Sequence, residues 1–457
     1  MSMTRRQFMQ TAALSALATP MGCKALPGRR AERRRPNVIY IMTDQQRKDT
    51  LRCYGNDKAI TPALDKLAAE GTLFTSCYAT QPVCSPCRSS MITGLFPNAT
   101  GVVENYIPLR PDLFSWPRAM GEKGYEVCYI GKWHLGDDPV PDYFDQWRGF
   151  NTGWKHFIKK EPVYALPGQS QKDANTKYTL GKNNVGRYRP DLEADYAVEF
   201  IKQNRNKPFV CWLSFYPPHT KDVPKENLAL FRGKFESKDQ DIYHAMVNRI
   251  DTNIKRVMET VESLGLRENT LVLFTSDHGE NYPHRWNKHH KRLCYDQAAN
   301  VPLIISWPGV LPEGQRIDNI ISIADLAPTI LDLCDQPWPE TLHGQSAKRL
   351  LAGDASGRHE DIFVQNTPYT THKKPVKGGD QSMRERCVIT DRWKLILNTS
   401  RKPELYDRTS PTPDKENLYD KPESKKVIAD LINRLAAWGK KTGDKITAQL
   451  IGQWQSG

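Results

Sequence analysis

Residues 271–280 read LVLFTSDHGE, and the order of residue types in this decapeptide decides the architecture. Its first five residues are apolar or β-branched at every position, the pattern of a strand buried on both faces. A serine, an acid and an imidazole follow directly. Three further runs have the same character: NVIYIM (37–42), VCYI (127–130) and FVCWLSF (209–215). Helical patterns separate them, such as TPALDKLAAEG (61–71), with Thr61 as N-cap, Pro62 at the first helical position and Gly71 beyond the end. Buried strands alternating with helices predict an α/β fold built on a doubly wound, mostly parallel sheet.

In such sheets ligands bind beyond the carboxyl ends of the strands. The first run leads into Asp44 and Gln45, the second into Lys132 and His134, the third into His219, and the fourth into Asp277 and His278. Each has an ordinary reading as a helix cap, a solvated cation or a structural histidine. Their common position on one edge makes them a candidate site.

The composition sets the outer limits. A chain of 457 residues with 39% hydrophobic and 26% charged residues suits one large α/β domain and a smaller one, without a mature membrane span. The formal charge of +13 is not spread evenly, because residues 1–35 hold eight Lys/Arg against one acid. The remainder is only mildly basic, so no nucleic-acid partner is expected, whereas an anionic substrate is compatible. MTRRQFMQTAALSALATPMGC (3–23) pairs a twin arginine with a short apolar stretch and small residues, the layout of a Tat export signal leading to the periplasm. Cys23 is a candidate lipoprotein acceptor and so the one expected tie to a membrane. Ten scattered cysteines form no small disulfide framework, and Cys128 and Cys211 read as buried apolar residues.

CSPCRSSMITG (84–94) adds the decisive motif. Ser85 reads as an N-cap, Pro86 as the first helical residue and Gly94 as the stop, which puts Cys84 at a helix amino terminus where anions and thiolates are favoured. Cys84 and Cys87 also form a Cys-x-x-Cys, the pattern of a redox pair or half a zinc site, but no second pair accompanies it.

Cys84-Ser85-Pro86-Cys87-Arg88 resembles the signature of the formylglycine-dependent, type I sulfatases. The likeness extends in order through RPNVIYIMTDQQR (35–47), TPALDKLAAEGTLFTSCYATQPVCSPCRSSMITG (61–94), GYEVCYIGKWHLG (124–136), YPPH (216–219), TLVLFTSDHGE (270–280) and KRLCYDQAANVPLIISWPG (291–309). The resemblance implies an alkaline-phosphatase-like fold and release of inorganic sulfate from a sulfated carbohydrate. It implies that a formylglycine-generating enzyme converts Cys84 to the aldehyde, while Cys87 fills a variable position. Asp44, Gln45, Asp277 and His278, with residue 84, correspond to the family's metal ligands. Calcium is the expected ion, although Gln45 and His278, where the commonest pattern has Asp and Asn, favour Mn2+ or Mg2+ as alternatives. Arg88 and Lys132 correspond to residues that hold the formylglycine hydrate, His134 to the base, and His219 and Lys291 to the sulfate-binding pair, with His219 as the acid. Two alternatives stand beside this reading: a phosphonate monoester or phosphodiester hydrolase of the same superfamily, and a catalytically silent sulfated-glycan-binding protein.

The expected organisation is a signal and basic linker at 1–35, a catalytic domain at 36–360 and an α+β subdomain at 361–457. RERCVITDRWKLILN (384–398), PELYD (403–407) and ENLYD (416–420) read as antiparallel strands, and ESKKVIADLINRLAAWGKK (423–441) as a closing amphipathic helix. Sugar contacts are expected from Trp154, Tyr164, Tyr178 and Tyr188 in the 151–190 loop, or from Arg384. The His284, His289 and His290 cluster reads as a substrate loop rather than a zinc site.

Overall fold

The four runs form strands that pair in parallel at the centre of one sheet, and that pairing carries their carboxyl ends to a common edge. A computed structural model describes residues 35–136, 138–151, 155–172, 183–281, 291–367, 383–412 and 414–455. The calls on the export signal, Cys23, Trp154, Tyr178 and the 284–290 histidines lie outside these residues. No helix among the described residues is long and apolar enough to cross a membrane.

The large sheet contains β1 (Asn37–Asp44), β2 (Thr72–Tyr78), β3 (Glu126–Lys132), β4 (Gln146–Phe150), β5 (Phe209–Pro218), β6 (Thr270–Ser276), β7 (Asn300–Ser306), β8 (Gln315–Ile317) and β9 (Ile321–Ser322). Its order is β4-β3-β5-β1-β6-β7-β2-β8, with β9 beside β2. Among the described strands β7 alone runs against the others. Every residue of β1, β5 and β6 is buried, as their unbroken apolar runs require.

Alternation along β1 divides the core. Val38, Tyr40 and Met42 face a cluster that includes Cys87, Met91 and Ile92 of the helix Cys84–Thr93. Ile39 and Ile41 face the opposite cluster, supplied by the helices Pro62–Ala69, Arg189–Asn204 and Lys238–Ser263. The sheet is thus covered on both sides, which is the doubly wound arrangement.

A second, antiparallel sheet has the order β10-β11-β12-β13, formed by Ile362–Asn366, Glu385–Ile389, Trp393–Asn398 and Glu404–Asp407. One face packs Val388, Leu395, Leu397 and Leu405 on Leu431, Leu435 and Trp438 of the helix Lys425–Thr442. The other packs Val364, Cys387 and Ile396 on Tyr78, Cys294 and Tyr295. Both sheets belong to one compact unit, Pro36–Gly457.

Local expectations need correction at residues 416–420 and at Ser85. Residues 416–420 form a turn rather than a strand: the Asn417 side chain accepts from the Leu405 amide and so caps β13 instead of extending the sheet. The closing helix forms where expected, at Lys425–Thr442; Gly443 then adopts φ 70°, and Asp444 opens a further helix, Lys445–Gln455, by accepting from Thr447. Ser85 is not an N-cap; the helix starts at Cys84, and the Ser85 hydroxyl instead donates to the His134 carbonyl at 2.6 Å.

Gly131 lies opposite Ser214 in the β3–β5 ladder at φ +98°, and a Cβ there would sit 1.9 Å from the Ser214 carbonyl oxygen. Gly131→Ala is therefore expected to destabilise the protein by more than about 2 kcal/mol, through backbone strain and a clash that no rotamer relieves. Thermal or denaturant unfolding checks this; an unchanged midpoint would contradict the packing described.

Candidate active site

Strand register assembles the site. Thr43 pairs with Ser276, so the next residues, Asp44 and Asp277, emerge side by side, and Gly131 opposite Ser214 brings Lys132 alongside. Asp44, Cys84, Asp277 and His278 are all buried, and each offers a ligand atom within 4.8 Å of the others. The Cys84 sulfur, at the first turn of its helix, lies 3.2 Å from Lys291 Nζ, 3.3 Å from His278 Nε2 and 3.7 Å from Asp44 Oδ1. All ten candidate residues fall at or around this edge, but Cys87 does not join them. It packs into the apolar cluster beneath the sheet, where burial pushes its thiol up, as befits a core residue rather than a redox partner.

Buried charges hold the centre together. Asp44 Oδ2 accepts from Lys132 Nζ at 2.6 Å and from Arg88 Nη2 at 2.9 Å. Arg88 Nε donates to Asp277 Oδ2 at 2.9 Å, and Nη1 donates to the Ser214 hydroxyl and the Lys132 carbonyl. Every guanidinium nitrogen is therefore engaged, and Arg88 acts on residue 84 through the two carboxylates. Ser214 was not a sequence candidate, since nothing distinguishes a serine inside an apolar strand until its partners are seen.

The electrostatic consequences follow from burial against charge. Burial raises the Asp44 carboxyl, but Lys132, His219, Arg88 and His278 overcome it and hold the group well below its usual range. Burial and Asp44 raise the Cys84 thiol, and Lys132, Lys291 and His278 pull it well below its ordinary value. Asp277 moves the other way, raised by burial and by Asp44. Burial, followed by the charge on Lys132, depresses His134 to about 4, and both of its ring nitrogens are buried without a hydrogen-bond partner. Burial, then Lys291, depresses His219 to about 3.

The loops bearing these groups hold unusual backbone. Gln45, His134, Thr220 beside His219, and Arg292 beside Lys291 have φ of 67°, 62°, 78° and 80°, in the left-handed region that L-residues seldom enter. Neighbours over-determine each turn. The Gln45 amide donates to Asp277 Oδ1 at 3.0 Å and its carbonyl accepts from Tyr243 Oη, while the Arg292 amide donates to the Pro82 carbonyl. Tyr216 adds a ring 4.7 Å from Lys132 Nζ that also stacks on His219.

The donor set fits a divalent cation. Two buried carboxylates stand in mutual repulsion, the Gln45 Oε1 is buried without a hydrogen-bond partner, and His278 Nδ1 engages the Gly279 carbonyl, leaving Nε2 toward the cluster. A cavity of about 570 Å3, bordered by Gln45, His219, Glu280 and Lys291, opens beside these groups and extends past Phe235, Tyr243 and His244. Tyr164 and Tyr188 are engaged in packing around their own loop. Tyr188 is buried and donates to the Asp222 carbonyl, and Tyr164 packs edge-on against Tyr196. Arg384 reaches Gln449.

The sulfatase family model matches residues 36–336, and the model for the C-terminal region of N-sulphoglucosamine sulphohydrolase matches residues 283–441. The chain belongs to the sulfatase family. As a sulfatase it is an enzyme of the sulfuric ester hydrolase class. It is 27% identical to an ulvan-active sulfatase of Formosa agariphila over 91% of this chain and 83% of that one. It is 25% identical to an N-acetylglucosamine-6-O-sulfatase of Bacteroides thetaiotaomicron over 94% and 91%. A solved protein in complex with its substrate D-glucosamine-2-N,6-O-disulfate shares the sulfatase fold, with a TM-score of 0.73 at 22% identity over 90% of this chain and 99% of that one.

Asp277 touches Arg88, the Gln45 amide and the cation cluster at once. Asp277→Ala is expected to leave the purified protein without its divalent ion, as elemental analysis would show; a stoichiometric ion in a folded variant would relocate the metal site.

Proposed function

We propose that this sulfatase releases inorganic sulfate from sulfated carbohydrates, with residue 84 working as formylglycine. The observation that supports this most strongly is the placement of Cys84 at a helix amino terminus amid Lys132, Lys291, His278 and Asp44, a buried pocket built for a compact anion. The named relatives act on sulfated carbohydrates, and the cavity bordering Lys291 and His219 has room for a sugar ring.

A formylglycine hydrate is a geminal diol: one hydroxyl attacks sulfur and displaces the sugar oxygen, and loss of the proton from the other then expels sulfate and restores the aldehyde. Asp44, Gln45, Asp277 and His278, with residue 84, would hold a divalent ion that polarises the attacking hydroxyl and offsets charge on the sulfate oxygens. We assign calcium, with Mn2+ or Mg2+ as alternatives. Lys132 and Lys291 supply positive charge to the bound sulfate, and Arg88 keeps the two carboxylates in place. His134, neutral because it is buried beside Lys132, takes the proton from the second hydroxyl. His219 is neutral before substrate binds, and the negative charge of the sulfate counters Lys291 and allows the ring to hold the proton it passes to the departing sugar oxygen.

In this reading residues 1–35 direct Tat export to the periplasm, with Cys23 available for lipidation, residues 36–360 form the catalytic domain, and residues 361–457 form the subdomain. A formylglycine-generating enzyme matures the protein. Gln45 and His278 also suit a phosphonate monoester or phosphodiester hydrolase. The complete set of Cys84, Arg88, Lys132, His134, His219 and Lys291 argues against a silent glycan-binding protein.

Mass spectrometry of the Cys84 peptide from a competent host should show the aldehyde. A substrate panel should give kcat/KM for sulfated oligosaccharides at least ~10-fold above that for phosphonates or phosphodiesters, about 1.4 kcal/mol of transition-state discrimination. Activity with an unmodified thiol, or preference for the phosphorus compounds, would overturn the assignment. The competent form of His134 is the neutral one, and a depressed pKa keeps it neutral as the pH falls. The acidic limb of kcat should therefore lie below 6.5, toward about 4, in a pH–rate profile, and a limb at 6.5 would exclude His134 in this role.

A further inference from the structure

We propose that Glu280 is a positioning residue for the metal site, turning the Gln45 amide so that its oxygen serves as the ligand. The proposal rests on the metal-site reading above and assigns a role to a residue outside the ligand set.

The case begins with charge. Two of the protein positions around the cation, Gln45 and His278, carry no negative charge. The two carboxylates are shared, Asp44 with Arg88 and Lys132, and Asp277 with Arg88. Lys291 approaches within 3.2 Å of residue 84. The pocket is therefore rich in fixed cations for a site that binds a divalent one.

Neutral ligands must then be well aimed, and Glu280 aims one of them, Gln45. It is buried, 8% exposed, and lies two residues beyond His278. Its backbone is anchored by the Glu280 amide donating to the Gln297 carbonyl at 2.9 Å. Its carboxylate accepts from Gln45 Nε2. This contact turns the amide nitrogen toward Glu280 and the amide oxygen away from it. That oxygen, Oε1, is buried without a hydrogen-bond partner. The Gln45 backbone is already held by Asp277 Oδ1 and Tyr243 Oη, so the remaining freedom is the orientation of the amide, which Glu280 removes. A hydrogen bond accepted on the nitrogen side also polarises the amide and makes its oxygen a better donor to a cation.

Glu280→Gln keeps the shape and a hydrogen bond but removes the acid and allows either end of the Gln45 amide to face it. Calorimetric titration of the full-length, chelator-stripped protein with calcium chloride should show about a ten-fold weaker Kd in this variant, the scale of loss seen when a partner behind a metal ligand is removed. Gln45→Asp combined with Glu280→Gln, which moves the carboxylate into the ligand position, should restore the affinity. Circular dichroism of the stripped proteins establishes that each is folded, and Asp277→Ala is titrated in parallel. Wild-type affinity in Glu280→Gln with binding lost in Asp277→Ala would overturn the role of Glu280 while leaving the metal site standing. Should Glu280→Gln not fold, Glu280→Asp, which keeps the acid but draws it back from the Gln45 amide, is titrated instead, and wild-type affinity there would overturn the role on its own. Wild-type affinity in Asp277→Ala would overturn the metal-site reading and this proposal with it.

Discussion

Asp44 is a carboxylate with no solvent exposure, kept charged by Lys132 at 2.6 Å and Arg88 at 2.9 Å, and the site is organised around that buried anion. Removing charges from water is costly, and a buried pair is tolerated only when its geometry is good and its remaining donors are satisfied. Here Arg88 meets that requirement by also engaging Asp277, Ser214 and the Lys132 carbonyl. Removing one partner of such an arrangement typically costs about 3–5 kcal/mol, because the other charge is left buried alone. The residues that would hold a cation and those that would bind sulfate are therefore parts of one electrostatic unit rather than two adjoining sites.

Such a unit needs a rigid frame, and the parallel strands β5, β1 and β6 provide it. Their registers set the positions of Asp44, Asp277 and Ser214, while the turns beyond β1 and β5, and beyond the neighbouring β3, carry the less common backbone of Gln45, Thr220 and His134. Conformations of this kind persist where surrounding contacts outweigh their cost. Lys291 is different, since no strand of the large sheet delivers it. Its segment is held by the small sheet: the Cys294 amide donates to Glu385, Tyr295 Oη donates to Glu404, and Arg401 ties Tyr295, Glu385 and Glu404 together. Lys394 grips Asp296 from the same sheet. The C-terminal portion of the chain thus takes part in building the anion pocket.

Much of this was legible beforehand because it depends on short-range patterns. Unbroken apolar runs ending in Asp44, Lys132, His219 and Asp277 can be read as parallel strands with polar carboxyl ends, and Pro62 and Gly94 mark helix limits through backbone preferences intrinsic to those residues, whereas Pro86 falls in the first turn of a helix that opens at Cys84. Cys84 could be singled out because its surroundings in the sequence resemble a family signature. The less legible parts were those in which a common residue acquires meaning only from a distant neighbour. Ser214 looks like any strand serine, and Asn417 became the cap of β13 because its side chain meets the Leu405 amide, which removed a strand that alternation had suggested.

The sequence by itself determined the α/β class, the edge of the sheet at which chemistry would lie and the residue types available there, because periodicity and strand-end chemistry are local properties of the chain. Only the tertiary structure decided how those residues are connected: that Arg88 spends every nitrogen on two carboxylates and their neighbours, that Cys87 belongs to the core, that Tyr188 packs its own loop, and that Glu280 faces the Gln45 amide. These outcomes depend on strand register and on contacts between positions 34 to 235 residues apart, and burial turns each such contact into a strong constraint on charge and orientation.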